Sequence, residues 1–185
     1  MSTNFDFLQK EKQFETFADA AISAELVLPI NPALCATACR TALEFAVKWM
    51  YSVDRSLTKP YDDKLVTLLG TEEFKDLMPS GMEPKLTYLR KIGNNATHNA
   101  RGVSRDQAIL ALQNLHSFLD FVAYCYGTEY TEVSFNQSLL EPKAASEPIP
   151  AVPVVQPQPE ELDFQTLLDE NFPKRESLTA KRVEQ

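Results

Sequence analysis

The sequence has few cysteines, few glycines and no long apolar run. Only three of its 185 residues are cysteines. Cys35 and Cys39 lie one turn apart on a predicted helix, where their sulfur atoms are poorly placed for a disulfide. No stretch approaches eighteen uncharged apolar residues, and the first residues, MSTNFDFLQKEK, lack the features of a secretory signal. We therefore expect a cytoplasmic protein with no membrane span.

The motifs that hold nucleotides or metals are also missing. None of the five glycines stands in a GxxxxGK[ST] or GxGxxG pattern, and neither GxSxG nor HExxH occurs. A metal site built from Cys35, Cys39, His98 and His116 would lack the usual CxxC or HxxxH spacing, so small buried thiols are the better interpretation of the two helical cysteines. His116 itself is expected to be a satisfied histidine at the core boundary. We predict no metal or cofactor within these residues.

Positive charge is scarce and unevenly distributed. The chain has 18 Lys+Arg against 26 Asp+Glu, for a net charge of -8, which argues against duplex DNA binding by the whole surface. Between Pro84 and Arg105, however, there is no acidic residue and the basic residues cluster. We predict that this stretch forms a binding site for nucleic acid or a protein partner. Its residues are Arg90, Lys91, Asn94, His98, Arg101 and Arg105.

Two interpretations of this stretch remain open. Arg90, Asn94 and His98 follow at intervals of four, so on a helix they share one face suited to recognition. Alternatively, Asn94 and His98 cap the helix end and the arginines are simply solvated. Gly93 costs a helix about 1 kcal/mol relative to alanine, so we expect a neighbouring helix or a ligand to approach its backbone closely.

Apolar periodicity predicts helices along most of the first 140 residues. A helix is expected over residues 4–28, and the next begins with Asn31 as N-cap followed by Pro32. Short helices should follow around Leu65 and after Thr71, with a loop from Pro79 to Pro84. The strongest pattern covers residues 104–126, where Ser104 and Gln107 have capping-box spacing. The core face of the second helix is predicted to be Leu34, Ala38, Ala42, Phe45, Trp49 and Val53.

These elements predict an all-α fold, an up-and-down bundle of four to five main helices with a Pro-rich C-terminal linker. The bundle should occupy residues 4–140, because six prolines follow within eighteen residues. The linker should cover residues 141–160. Residues 161–185 should form a partial helical connector, and because no residue caps its end we expect a further region downstream.

Three stretches resemble a known family. They are CRTALEFAVKWMYSVD at 39–54, YLRKIGNNATH at 88–98 and ALQNLHSFLDFVAYCY at 111–126. Together they are similar to the N-terminal helical domain of type I restriction enzyme R subunits, the motor and endonuclease chain. The resemblance implies an accessory domain of a phage-defence restriction-modification enzyme. ATP and Mg would serve the parent enzyme rather than this segment, and the partners would be the rest of the R subunit and the methyltransferase/specificity core.

The stretch also resembles HEPN domains, which are helical bundles. Some members are metal-independent ribonucleases that use an Arg and a His separated by four to six residues. The runner-up interpretation is therefore a ribonuclease with Arg90, Asn94 and His98 at its centre. This sequence departs from the pattern, because seven residues separate Arg90 from His98 and a lysine follows the arginine.

Overall fold

The computed structural model describes residues 2–98 and 102–141. It contains six α-helices in the described ranges, and four of them are long. Their bounds are α1 Glu15–Val27, α2 Pro32–Val53, α3 Leu65–Leu68, α4 Glu72–Leu77, α5 Met82–His98 and α6 Arg105–Tyr126. Short 3-10 helices cover Asp6–Lys10, Lys12–Phe14 and Gln137–Leu140, and no strand occurs in these ranges. The predicted all-α bundle is confirmed.

Helix α2 is the centre of the bundle, since it packs against α1, α5 and α6. Local sequence chemistry sets its start, where the Asn31 side chain accepts a hydrogen bond from the Leu34 N–H at 3.1 Å and Pro32 occupies the first turn. Ser104 and Gln107 form the predicted capping box at the start of α6, with bonds of 3.2 and 2.9 Å. Both predicted caps are thus confirmed.

The predicted core face of α2 is wrong in register. Ala42 is buried, but Leu34, Phe45 and Val53 are roughly half exposed. Because α2 has neighbours on several sides, it buries more of its circumference than the single predicted stripe. The buried residues of α2 are Ala33, Cys35, Ala36, Cys39, Ala42, Leu43, Ala46, Val47, Met50 and Tyr51.

The predicted helix over residues 4–28 begins later than expected, at Glu15. Before it, the Asp6 carboxylate accepts hydrogen bonds from the Thr3 N–H and hydroxyl, and the Asn4 N–H donates to the buried Glu25 carboxylate at 3.0 Å. These bonds compete with helical ones and fold the N-terminus back over α1. The chain buries Phe5 and Leu8 there.

The loop before α5 is shorter than predicted. The predicted loop up to Pro84 ends at Gly81, whose φ of 82° suits glycine, and α5 begins at Met82. Pro84 therefore lies in the first helical turn, where its missing N–H has no intrahelical partner to lose. The predicted linker and connector lie outside the described residues, apart from Glu141.

Helix α6 is long and apolar enough to span a membrane by length and composition. More than half of its apolar window is buried in the bundle, where it packs against α2 and α5. Core packing therefore accounts for its composition.

Candidate functional site

The predicted binding residues that the structure describes on α5 lie on its outward side. Lys91, Asn94 and His98 are exposed and Arg90 is half-buried. The opposite side of the helix is core, formed by Leu86, Leu89, Ile92, Gly93 and Ala96. Because 3.6 residues make a turn, burial of that side turns positions 87, 90, 91, 94 and 98 outward. We call these five residues, Thr87, Arg90, Lys91, Asn94 and His98, the α5 face.

No carboxylate of the described residues neutralises the cations of the α5 face. The ion pairs in this part of the chain join Glu44 to Arg40 and Lys48, Asp62 to Lys64, and Glu72 to Lys75. Arg90 and Lys91 take part in none of them. The charge of these two side chains is therefore directed at solvent and at a small cavity beside Arg90.

That cavity lies between α3, α4 and α5 and has a volume of about 160 Å³. Its walls are mostly apolar, and Lys75, Glu83, Thr87 and Arg90 add polar groups. Its apolar lining consists of Val66, Leu69, Gly70, Phe74, Met78 and Leu86. We call it the Arg90 cavity. An apolar hollow flanked by two cations suits a ligand that combines an apolar group with negative charge.

Gly93 explains how α5 is oriented. A Cβ atom at Gly93 would lie 2.4 Å from the Arg40 Cβ and 3.1 Å from the Ala36 carbonyl oxygen, so α2 passes directly over this position. The sequence predicted that a neighbouring helix or a ligand approaches the Gly93 backbone, and the structure shows that it is a helix, α2. The contact also brings a second arginine, Arg40, against α5, which sequence reasoning missed.

The guanidinium group of Arg40 has partners for only some of its hydrogen-bond donors. Its Nη2 lies 3.5 Å from the Glu44 carboxylate, and its Nε is buried without a hydrogen-bond partner in the described residues. Such an arginine retains donors for an anion that binds at the α2–α5 edge. Its four-residue spacing from Glu44 was visible in the sequence, but only the tertiary contact with Gly93 reveals its place.

The other two predicted arginines differ from those on α5. Arg105 is exposed in the first turn of α6, and its guanidinium donates a hydrogen bond to the Leu140 carbonyl oxygen at 2.9 Å. This bond fixes the end of the described chain against α6, so part of the donor capacity of Arg105 is used internally. Arg101 lies outside the described residues.

The capping interpretation of Asn94 and His98 stays a prediction, because residues 99–101, which follow α5, lie outside the described residues. Asn94 is a full turn before the end of α5, and within the described ranges neither it nor His98 donates or accepts a side-chain hydrogen bond. Arg90 and His98 share a face but are eight residues apart, which corresponds to about 12 Å of helix rise. The arrangement therefore suits several separate contacts along an extended ligand better than two groups acting on one phosphate.

The family comparison covers this whole region. The model of a family described as "Domain of unknown function (DUF4145)" matches residues 23–146, which is more than half of the chain. The chain belongs to this family. The match includes α2 to α6, and hence Arg40, the α5 face and the Arg90 cavity. No curated protein and no solved structure matches the chain.

The DUF4145 region also contains a buried histidine that differs from expectation. His116 is 4% exposed, its Nε2 has no hydrogen-bond partner in the described residues, and it is not the satisfied boundary histidine expected from the sequence. Aromatic rings of Phe7 and Phe135 surround it, at centroid distances of 5.4 and 5.5 Å. Burial lowers the pKa of His116, and the charge of Asp120 partly opposes this. His116 is therefore neutral near pH 7.

The three cysteines of the DUF4145 domain are free thiols. This agrees with the prediction that Cys35 and Cys39 do not form a disulfide. Cys35 and Cys39 are buried, and burial raises the pKa of the Cys39 thiol well above its usual range. A buried protonated thiol is a poor nucleophile and a poor metal ligand. No group of three or more potential metal ligands occurs among residues 2–98 and 102–141.

Proposed function

We propose that this domain is an accessory binding module whose α5 face contacts an anionic partner, with nucleic acid as the first candidate. The proposed setting is the cytoplasmic R subunit of a type I restriction-modification system, because of the resemblance in the sequence. In that setting the module assists assembly or DNA contact, while the parent enzyme translocates and cleaves DNA.

One observation carries the proposal: an outward cationic face on a chain of opposite net charge. Arg90 and Lys91 are not paired with any carboxylate of the described residues, although the chain has a net charge of -8. Asn94 and His98 lie beside them and can add directional hydrogen bonds. Unpaired arginine and lysine of this kind contact phosphate oxygens in nucleic-acid complexes.

The small number of cations sets the strength of binding. Arg90, Lys91, Arg101 and Arg105 would neutralise four phosphates at most, and Arg105 already donates to Leu140. Three contacts correspond to a slope of about -3 in log K against log salt concentration. We therefore expect weak binding that is lost quickly above physiological salt.

Retention of labelled DNA or RNA at low salt tests the proposal. The double variant Arg90→Ala with Arg101→Ala should bind at least roughly tenfold more weakly than the wild type. Its slope of log K against log salt concentration should be smaller in magnitude by about 2. The matched control is Arg55→Ala with Lys59→Ala, which removes two exposed cations outside α5. Absence of retention by the wild-type chain, or equal losses in the two double variants, would remove the proposal.

A protein partner is the alternative occupant of the α5 face. Co-elution of the chain with a methyltransferase core, abolished by Arg90→Ala and accompanied by no nucleic-acid retention, would identify a protein–protein module instead. The R-subunit setting is tested separately, because a reading frame that continues past Gln185 into nuclease and helicase motifs would support it.

A metal-independent ribonuclease is the second candidate, favoured by the exposure of His98 on the same face as Arg90. It requires His98 as general acid or base and Arg90 to stabilise charge on the phosphate. The 12 Å rise between them makes it the weaker candidate. If the wild type cleaves RNA in the presence of EDTA and His98→Ala does not, the ribonuclease function is established. If RNA stays intact with the wild type, the ribonuclease is refuted and the binding module remains.

A further inference from the structure

A second cavity lies where the start of α5 meets α6. It is an open groove of about 490 Å³, within the range of about 300–1,000 Å³ that small-molecule sites occupy. Residues 79–82, Lys85, one side of α6 and the segment 130–135 line it. We call it the α6 groove. None of its lining residues belongs to the α5 face or to the Arg90 cavity, so it is a separate candidate site.

Carboxylates and aromatic rings combine on the α6 side of this groove. The Asp120 Oδ2 atom accepts a hydrogen bond from the Tyr130 hydroxyl at 3.0 Å. The rings of Tyr124 and Tyr130 lie 5.2 Å apart at an interplanar angle of 79°, and Tyr124 is 65% exposed. Glu132 adds a second carboxylate to the lining. Tyrosine rings beside carboxylates attract an ammonium group through cation–π interaction and ion pairing.

Two buried polar atoms in the lining indicate a ligand more directly. The Asp120 Oδ1 atom is buried without a hydrogen-bond partner in the described residues, and so is the Nε2 atom of His116, one turn earlier on α6. Buried polar atoms normally have partners, and one without a partner is destabilising. The wells of the Asp χ2 angle are broad, so a small rotation turns Oδ1 toward the groove. An ammonium group has three N–H donors, enough for both atoms.

Positive charge enters the groove from the start of α5. Lys85 is half-buried, lines the groove and pairs with no carboxylate of the described residues. Residues 80–82 bring the N-terminus of α5 to the same place, where the helix dipole favours an anion. Glu83, the acid in this turn, lines the Arg90 cavity instead. The groove therefore holds a lysine opposite Asp120 and Glu132 without an ion pair between them.

Opposite charges that do not pair with each other define the class of ligand. A ligand with only positive charge is repelled by Lys85, and one with only negative charge lies beside two carboxylates. We propose that the α6 groove binds a small zwitterion of the amino-acid class, with its ammonium group on Asp120 and the tyrosine rings and its carboxylate on Lys85 and the start of α5. This site does not depend on the proposed function, because it shares no residue with the α5 face.

Methionine methyl NMR of the full chain detects such binding with internal controls. The chain has four methionines. Met82 lines the α6 groove, Met78 lines the Arg90 cavity and Met50 is buried in the core. A zwitterion in the groove should shift the Met82 signal and leave those of Met50 and Met78 in place.

The probes separate charge type from charge spacing. Three zwitterions, β-alanine, γ-aminobutyrate and ε-aminocaproate, differ in the distance between their charges, whereas n-butylamine and butyrate carry one charge each. Ligands this small have few contacts, so we expect a Kd on the order of 1 mM for the best zwitterion. That zwitterion should bind at least roughly tenfold more tightly than n-butylamine and butyrate, because it satisfies both charges of the groove.

Two variants assign the charges. Lys85→Gln should remove the advantage of the zwitterion over n-butylamine, whereas the control Lys59→Gln, an exposed lysine far along the chain from α5, should keep it. Asp120→Asn should remove the advantage over butyrate, whereas the control Asp76→Asn, an exposed acid on α4, should keep it. Because Lys85 makes no ion pair, the Lys85→Gln comparison decides the matter even if Asp120→Asn does not fold.

Three results would overturn the proposal. The first is an unchanged Met82 signal with all three zwitterions at about 20 mM, which is roughly twenty times the expected Kd. The second is equal binding of n-butylamine and the best zwitterion, which would identify a site for a simple organic cation. The third is a loss in Lys59→Gln as large as that in Lys85→Gln, which would mean that the ligand responds only to the net charge of the chain.

Discussion

Replacing Gly93 with alanine tests the contact that orients the α5 face. The added Cβ would lie 2.4 Å from the Arg40 Cβ, 2.9 Å from the Arg40 Cδ and 3.1 Å from the Ala36 carbonyl oxygen. The Arg40 Cβ and the Ala36 carbonyl are fixed to the α2 backbone, so side-chain rotation cannot relieve the clash. The two helices must move apart.

Two opposing terms set the size of the effect. Carbon atoms pack at about 3.5–4.0 Å, so α2 and α5 must separate by roughly 1 Å at this point. Overpacking of this kind costs about 1–3 kcal/mol, while alanine regains about 1 kcal/mol of helix propensity over glycine. The difference is a net loss of up to about 2 kcal/mol in the free energy of unfolding.

Chemical denaturation of Gly93→Ala measures this loss directly. Asn95→Ala is the matched control, because Asn95 is exposed on the same helix and its replacement should slightly stabilise the chain. In an Arg40→Gly background, which lacks both Arg40 atoms of the clash, Gly93→Ala should cost about 1 kcal/mol less. If Gly93→Ala were as stable as Asn95→Ala in the wild-type background, the close approach of α2 would be refuted.

Two further predictions concern the caps and the buried acid. Ser104→Ala removes one half of the capping box of α6 and should lower the free energy of unfolding, measured by chemical denaturation, by about 1 kcal/mol. The control Ser117→Ala, inside the helix, should lower it by less than half of that. Equal losses in the two variants would argue against the cap. Burial raises the pKa of Glu25 above 4.5, opposed by the bonds from Asn4, so the folded state holds this proton more tightly than the unfolded state. Its contribution to stability is therefore full below pH 4.5 and is lost as pH rises through the folded pKa. Relative to Glu25→Gln, the wild type should gain stability on acidification through this window, and parallel stability–pH curves would contradict the shift.

Local signals in the sequence predicted much of the fold. The Asn31 and Ser104 caps depend on hydrogen bonds between residues three positions apart. The exposure of Lys91, Asn94 and His98 follows from a local signal too, because charged and polar side chains are rarely buried without partners. These features need no knowledge of distant parts of the chain.

The errors occur where distant residues decide the outcome. The register of α2 was wrong because several helices surround it, so a single apolar face does not describe its burial. The predicted start of the first helix was wrong because the Asn4 N–H donates a hydrogen bond to the Glu25 carboxylate, twenty-one residues away. Arg40 was missed because its place depends on the absence of a side chain at Gly93, on another helix.

The fold and the proposed site therefore share a determinant in Gly93. Its missing side chain allows α2 to approach α5 on the side where Leu89 and Ala96 are also buried. The outward-facing residues of α5 are as a consequence Arg90, Lys91, Asn94 and His98. A cationic face obtained in this way depends on helix packing more than on loop geometry, so variants that open the α2–α5 contact should weaken anion binding even when every cation is retained.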